Sequence, residues 1–379
     1  MSQIRRTVLA LVSMLAVSAS QAEITIGVSL GTTGPGASLG VPYKNAFQLI
    51  PKTLGGEPVR YIILDDESKP DNAAKNARKF VSEDKVDALM GSNGVPSAVA
   101  MAQVAAETRT PMIALTPLPP LAPDRASWTF IVPQPTELMM SAVTQHMKAH
   151  GVKTVGFIGF SDTWGDMMYN AVASLAPSDG FKVQSNERYG RADTSVAGQV
   201  LKVLAEKPDA IIIGGSGSPG ATPHIALVER GYKGQIYHNH GTVNLPFIQT
   251  GKKAVDGAIA PTGALIVAEE LSSSFPTKAV SLDFVKRYES AFGADSRNAF
   301  AGYSYDGVLL LDAAAAMALK KAKPGTPEFR AALREALENV KNVIGTHGVY
   351  NMSAANHNGL DERARVLVQV VDGKWRLLK

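Results

Sequence analysis

Ile24-Thr25-Ile26-Gly27-Val28-Ser29-Leu30-Gly31-Thr32-Thr33-Gly34-Pro35-Gly36-Ala37-Ser38-Leu39-Gly40 begins as a short apolar run, becomes a loop of Gly, Thr and Ser, and feeds a helical pattern from Pro42 to Ile50. Such a stretch reads as a buried strand, a turn at its carboxyl end and the N-terminus of a helix. Open α/β sheets place ligands in the crevice outside the carboxyl ends of their strands. Free N–H groups and the helix dipole make that corner a natural anion site. The loop has no G-x-x-x-x-G-K-[ST] pattern, so the anion need not be a phosphate. Taken alone, the stretch also fits an ordinary strand-to-helix turn.

Residues 1–22 read as a secretory signal, with Arg5 and Arg6 ahead of the apolar run Val8–Val17 and small residues at Ser20-Gln21-Ala22. The run is shorter than the roughly 20 apolar residues that span a bilayer. Cleavage at Ala22 lowers the formal net charge from +4 to +2. The remaining charges are scattered, which argues against a nucleic-acid partner. With no cysteine in the chain, a secreted protein of this size must be stable by burial alone. The expected product is free in the periplasm and monomeric.

Downstream the opening unit repeats. Val59–Leu64, Val86–Met90, Pro111–Leu115, Val155–Gly159, Phe181–Tyr189, Ala210–Ile213 and Gln235–His238 read as strands. Between them lie loops rich in small residues and helical patterns such as Asp71–Ser82 and Val196–Glu206. This rhythm implies parallel sheets covered by helices. Its restart after Gly151 suggests two similar lobes about a cleft. Long helices follow at Ser281–Phe292, Tyr303–Lys321 and Pro327–Val340. Asp372-Gly373 between two β-rich runs is a hairpin signature.

Several motifs suggest chemistry. Gly215–Gly220 fits G-x-G-x-x-G after a strand. However, no acid follows about 20 residues on, and Pro219 and Pro223 sit where the helix should begin, so a small-residue ligand loop or plain turn is favoured over NAD. Asp65-Asp66-Glu67 alternate on a strand and read as solvated or cap-forming acids rather than a metal site. His238 and His240 would share a strand face, but His224, His347 and His357 are distant and no third zinc ligand is evident. Neither a metal nor a cofactor is expected. H-E-x-x-H is absent, as is any paired-cysteine motif, so catalysis has no support. Trp164, Tyr303 and Tyr305 lie near loop or helix starts; each alone reads as packing, and together they suit an aromatic-lined pocket.

Ile26-Gly27-Val28 with Thr33-Gly34-Pro35, then Leu64-Asp65-Asp66, Pro111-Met112-Ile113, Gly156-Phe157-Ile158 before Trp164-Gly165, and Tyr303-Ser304-Tyr305-Asp306 follow in an order that spans residues 23–379. In this the chain resembles the type I solute-binding proteins of bacterial ABC importers, in the leucine/isoleucine/valine-binding branch. The resemblance implies an α/β fold of two Rossmann-like lobes with parallel central sheets and a three-segment hinge. Residues 23–133 and 264–345 would form the N-terminal lobe, and 134–263 and 346–379 the C-terminal lobe. It also implies an inner-membrane permease as partner and a small carboxylate as ligand. Asn93, Gly94, Val95 and Ser97, with Thr116 and Leu118, fall on the two loops that hold the carboxylate in relatives. Leu39 falls where a side chain covers the ligand. Trp164 and Ser216 come from the opposite lobe, with His240 at the end of the following strand.

Two departures bear on the ligand. The position aligned with His240 is an acid in amino-acid-binding relatives, where it pairs with the α-ammonium, and histidine does not replace that charge. The position aligned with Ser216 is often a bulky Tyr. Both changes favour an acid without an α-amino group, such as an aromatic one, over a branched-chain amino acid. A secreted α/β enzyme and a sensor subunit are the rival functions. A carbohydrate ligand is disfavoured by the shortage of stacking Trp and clustered acids.

Overall fold

The computed structural model describes residues 23–378, so the signal-peptide expectation for residues 1–22 lies outside the described residues. The chain begins with β1 (Ile24–Leu30), α1 (Ala37–Ala46), β2 (Thr53–Leu54), β3 (Glu57–Asp65), α2 (Pro70–Ser82) and β4 (Ala88–Gly91). It continues with α3 (Val95–Thr108), β5 (Met112–Ala114), α4 (Pro123–Ala126) and β6 (Thr129–Ile131). These strands form one sheet in the order β2-β3-β1-β4-β5-β6, parallel from β3 to β6. Every residue of β1 is buried, as a central strand covered on both faces requires. Ile24, Ile26, Val28 and Leu30 join one core. On the other face Gly27 lets Phe80 of α2 lie on the strand, since a Cβ there would stand 2.5 Å from the ring. Phe80→Ala should therefore cost about 3–5 kcal/mol in urea unfolding; a loss below about 1 kcal/mol would show that this contact is not part of the core.

A second sheet is built from α5 (Thr136–Ala149), β7 (Thr154–Phe160), α6 (Thr163–Asp179), β8 (Lys182–Tyr189), α7 (Ala197–Ala205), β9 (Ala210–Gly214) and α8 (Ala221–Glu229). It is completed by β10 (Gln235–Tyr237), α9 (Leu245–Gly251) and β11 (Ile259–Thr262). The chain then returns to the first lobe with α10 (Lys278–Phe292), α11 (Ala299–Ala318) and α12 (Pro327–Glu338), whose apolar faces pack on the β1 core. A small hairpin, β12 (Val343–Ile344) with β13 (Val349–Tyr350), precedes β14 (Val366–Val371), which adds antiparallel to β11, and β15 (Lys374–Leu377), which adds antiparallel to β14. The order is β15-β14-β11-β10-β9-β7-β8.

The chain therefore crosses between sheets three times: after β6, after β11 and before β14. The third crossing lies further along than the 345/346 boundary expected from the sequence. Residues 346–358 stay with the first sheet, because Ile131 N–H donates to His357 O, Tyr350 Oη to Val132 O, and Asn358 Nδ2 to Ile131 O and Pro133 O. The crossings meet in one place. Tyr303 Oη donates to Gln134 Oε1 at 2.6 Å, and Gln134 Nε2 donates to Ala364 O at 2.6 Å. His347 fills the space beside Gly263, where a Cβ would stand 1.9 Å from its Nδ1. Asp306 anchors this knot, accepting from Thr346 N, His347 N and Tyr350 Oη, and burial pushes its carboxyl up to about 6.

Two local expectations change. The first helix runs from Ala37 rather than Pro42, after a short 3-10 turn at Gly34–Gly36, and Pro42 sits inside it. Asp66 is wholly buried rather than solvated, accepting from Ser29 Oγ, Ser92 Oγ and Ser68 N. Its neighbour Asp65 caps no helix but accepts from Thr32 N, Thr33 N and Glu67 N, pinning the loop after β1 to the end of β3.

Candidate functional site

The carboxyl ends of the two sheets converge on one cavity. From the first lobe it is lined by Leu39 after β1, by Asn93, Gly94 and Val95 after β4, and by Leu115, Thr116 and Pro117 after β5. Tyr43 on α1 and Phe300 and Tyr303 on α11 complete that wall. Pro133 comes from the first crossing. The second lobe contributes Trp164 after β7, Arg191 after β8, Ser216 after β9, and His240 and Gly241 after β10. Non-atom space within it amounts to ≈ 370 Å³, part of which opens to solvent. In each sheet these loops flank the point where strand order reverses, which is where open α/β sheets bind ligands.

Nine of the residues expected from the sequence are brought together here: Leu39, Asn93, Gly94, Val95, Thr116, Trp164, Ser216, His240 and Tyr303. Three are not. Ser97 is buried in the first turn of α3 and borders an adjoining cleft. Leu118 turns to an outer groove and packs near the α2–α3 core. Tyr305 points away, its ring 5.1 Å from Phe284 and under the Arg287 guanidinium, because two positions along a helix is roughly half a turn from Tyr303.

The lining groups are mostly held in place by bonds outside the cavity. Asn93 Oδ1 accepts from Gly31 N at 2.7 Å and its Nδ2 donates to Gly36 O, tying the β4 loop to the loop after β1. Trp164 is set by the head of α6, where Asp162 caps the helix by accepting from Trp164 N and Gly165 N. The same carboxylate takes the Arg191 Nε–H at 2.5 Å. Arg191 Nη1 reaches Ser216 Oγ at 3.4 Å, and its guanidinium lies 4.4 Å from the Phe160 ring centroid. Sequence reasoning missed Arg191 because a lone arginine in a loop carries no motif; only the fold brings it to the cleft.

His240 meets Trp164 edge to face, with centroids 5.4 Å apart. Burial first, and His347 second, pull its imidazole down to about 3, so it is neutral at physiological pH. His240 Nδ1 and Trp164 Nε1 are both buried without a hydrogen-bond partner among the described residues. His238 takes a different course from His240, since the strand ends at Tyr237; it pairs with His224 at 2.8 Å and packs on Phe247. Among the described residues no group of three or more His, Cys, Asp or Glu is placed to hold a metal ion. The glycine-rich run Gly215–Gly220 leads through a 3-10 turn into α8 and presents Ser216 to the cavity.

The lobes touch beside the cavity. Ser218 N–H donates to Ser38 Oγ across the cleft, and Gly217, at φ +59°, leaves no room for a side chain: a Cβ would stand 2.5 Å from that oxygen. The structure is thus a closed form. No described helix is long and apolar enough to cross a membrane.

Residues 23–374 match the family model described as periplasmic binding protein. Among curated proteins no match is found. An extracellular ligand-binding receptor from Rhodopseudomonas palustris HaA2 is 44% identical, over 94% of this chain and 100% of that one, with a TM-score of 0.92. The fold is shared with a leucine-binding protein from Thermotoga maritima (21% identity, 94% and 98% covered, TM-score 0.79). It is shared also with an ABC-transporter solute-binding protein from R. palustris in complex with benzoate (20% identity, 94% and 95% covered, TM-score 0.80). Two hinged sheets closing on a cleft, and a family match over almost the whole described chain, agree: the chain belongs to the periplasmic binding protein family and has its type I fold.

Proposed function

We propose that the protein is a periplasmic receptor of an ABC importer that captures a small carboxylate lacking an α-amino group, a ring-bearing acid foremost, and hands it to an inner-membrane permease. The observation that carries this reading is that, among the described residues, no Asp or Glu lines the cavity. An α-ammonium enclosed there would lose its water without gaining a counter-ion, a penalty of several kcal/mol. His240 does not substitute, being neutral. The opening turn of α3 and the Thr116 hydroxyl suit the carboxylate. Tyr43, Trp164, Phe300 and Tyr303 suit a ring.

Binding then works by hinge closure. A ligand shifts the lobes only by as much as it prefers the closed state, so contacts must come from both sides. The protein acts as a monomeric receptor, not an enzyme, and its ligand is released unchanged. Isothermal titration of the mature protein should show benzoate-type acids binding at micromolar Kd or better and leucine at least about 100-fold more weakly, a gap of about 3 kcal/mol. Tight leucine binding with no response to aromatic acids, or an acid recovered chemically altered, sinks the proposal.

A further inference from the structure

The cavity carries more hydrogen-bond donors than one carboxylate uses. In the first lobe Val95 bears the N–H group that the α3 opening turn presents, since Pro96 has none and Ala98 N–H is committed to Gly94 O at 2.8 Å. Thr116 adds a hydroxyl at the same wall. In the second lobe stand the Arg191 guanidinium, the Ser216 hydroxyl and the Trp164 indole N–H. An ionised carboxylate offers about four lone-pair positions in all. Five donor groups from two walls exceed that.

The second-lobe set is organised rather than incidental. Arg191 is held by Asp162, by Ser216 and by the Phe160 ring, and only two of its five N–H groups are committed by those bonds. Ser216 Oγ accepts from Arg191, which leaves its own proton free to donate. A Cβ on Gly241 would stand 2.7 Å from Ser216 Cβ and 3.2 Å from Trp164 Cζ2, so this glycine is what lets the serine and the indole lie side by side. Trp164 is 4% exposed, and its buried Nε1 has no partner within the described chain. Asp162, the acceptor nearest to this set, is already taken up by the α6 cap and Arg191.

We infer that the ligand bears a second oxygen acceptor, a carboxylate or carbonyl, at the end away from its first carboxylate, and that Arg191 with Ser216 and Trp164 selects it. The inference rests on the acid-binding reading above and narrows the substrate class to diacids and oxo-acids. Leu39, Tyr43, Leu115 and Phe300 bound the space beside the two donor sets, which suits a single ring with one substituent at each end. A ligand with an apolar far end would leave buried donors unpaired, and sites built to hydrogen-bond a group discriminate strongly against its absence.

The test titrates the mature protein and its Arg191→Gln and Ser216→Ala variants with benzoate, 4-formylbenzoate and terephthalate, with melting curves to check folding. The wild type should bind the two para-substituted acids at least about 10-fold more tightly than benzoate. Arg191→Gln should weaken those two by about 10- to 100-fold and benzoate by less than about 3-fold; Ser216→Ala should show the same pattern at a smaller size and carries the test if the arginine variant does not fold. Equal binding of all three acids by the wild type overturns the inference alone. Uniform weakening of all three by Arg191→Gln also overturns it, because it places the single carboxylate on the arginine. Failure of the wild type to bind any acid, with leucine bound instead, removes the acid-binding reading itself.

Discussion

Replacing Gly217 with valine should hold the two lobes apart and weaken carboxylate binding by about 100-fold or more, while both lobes keep their cores. The position is constrained twice. Its φ of +59° with ψ of −158° belongs to a region that is essentially glycine's alone. A Cβ there also meets Ser38 Oγ of the opposite lobe at 2.5 Å and approaches Leu39 Cδ2 at 3.8 Å. A valine brings two further methyl groups to that seam. Closure must then be forgone or strained by about 3 kcal/mol, which is roughly the 100-fold stated. Small-angle scattering with ligand present should show the variant remaining open, and Ser38→Gly should restore part of the affinity by making room. A Gly217→Val protein that closes and binds as the wild type does would show that the seam is not part of the closed state.

Lowering the pH from 7 to 4 should cost several kcal/mol of stability, read as a fall in the urea midpoint. Burial is the chief cause holding His224 down to about 4, His240 to about 3 and His347 to about 4. An unfolded histidine takes its proton near pH 6.5. Between that pH and the folded value the unfolded state binds more protons, so stability present above 6.5 is lost as pH falls through the window. Each group contributes about 3 kcal/mol over a shift of some two units or more. Asp306 opposes the trend: with its folded value raised to about 6, its contribution grows as pH drops from 6 toward 4. Burial raises the Asp66 and Asp87 carboxyls in the same sense, while burial and His224 hold His238 well below its ordinary value and add a fourth buried imidazole to the loss. The imidazoles outweigh the carboxyls, so the net change is a loss, and His240→Gln should flatten the curve by removing one of these steps. A midpoint unchanged between pH 7 and 4 would refute the assignment of these imidazoles as buried and neutral.

Much of the fold could be read directly because its signals are local. Asp372-Gly373 predicts the β14–β15 turn, and the two residues adopt φ of +50° and +69°, as a primed hairpin turn requires. The apolar run at residues 24–30 marks a strand covered on both faces because no polar residue interrupts its two-sided burial except Thr25 and Ser29, which each find an internal partner. The start of α1 was less legible. Pro42 resembles a helix opening, yet the helix begins five residues earlier, where Gly40 packs against Gly31 O of the preceding turn. The third crossing was illegible for another reason: residues 346–358 are held by backbone and amide bonds to β6, which leave no periodic pattern. In the site, loops after strands were findable and single residues were not. Arg191, Tyr43 and Phe300 reach the cavity only because the sheets place them there.

The knot where the chain passes between lobes three times bears on the cost of binding. Gln134, in the first passage, bonds to Ala364 in the third and to Tyr303 of α11, and His347 leans on the second passage at Gly263. Two anchorage points define an axle, and a third suppresses sliding and twist along it. The halves therefore search a single angle instead of the many orientations open to tethered bodies, and little of a solute's interaction energy is spent on ordering them. A nick in any one strand of the axle would leave two intact, so the swing should survive where a singly linked pair would fall apart.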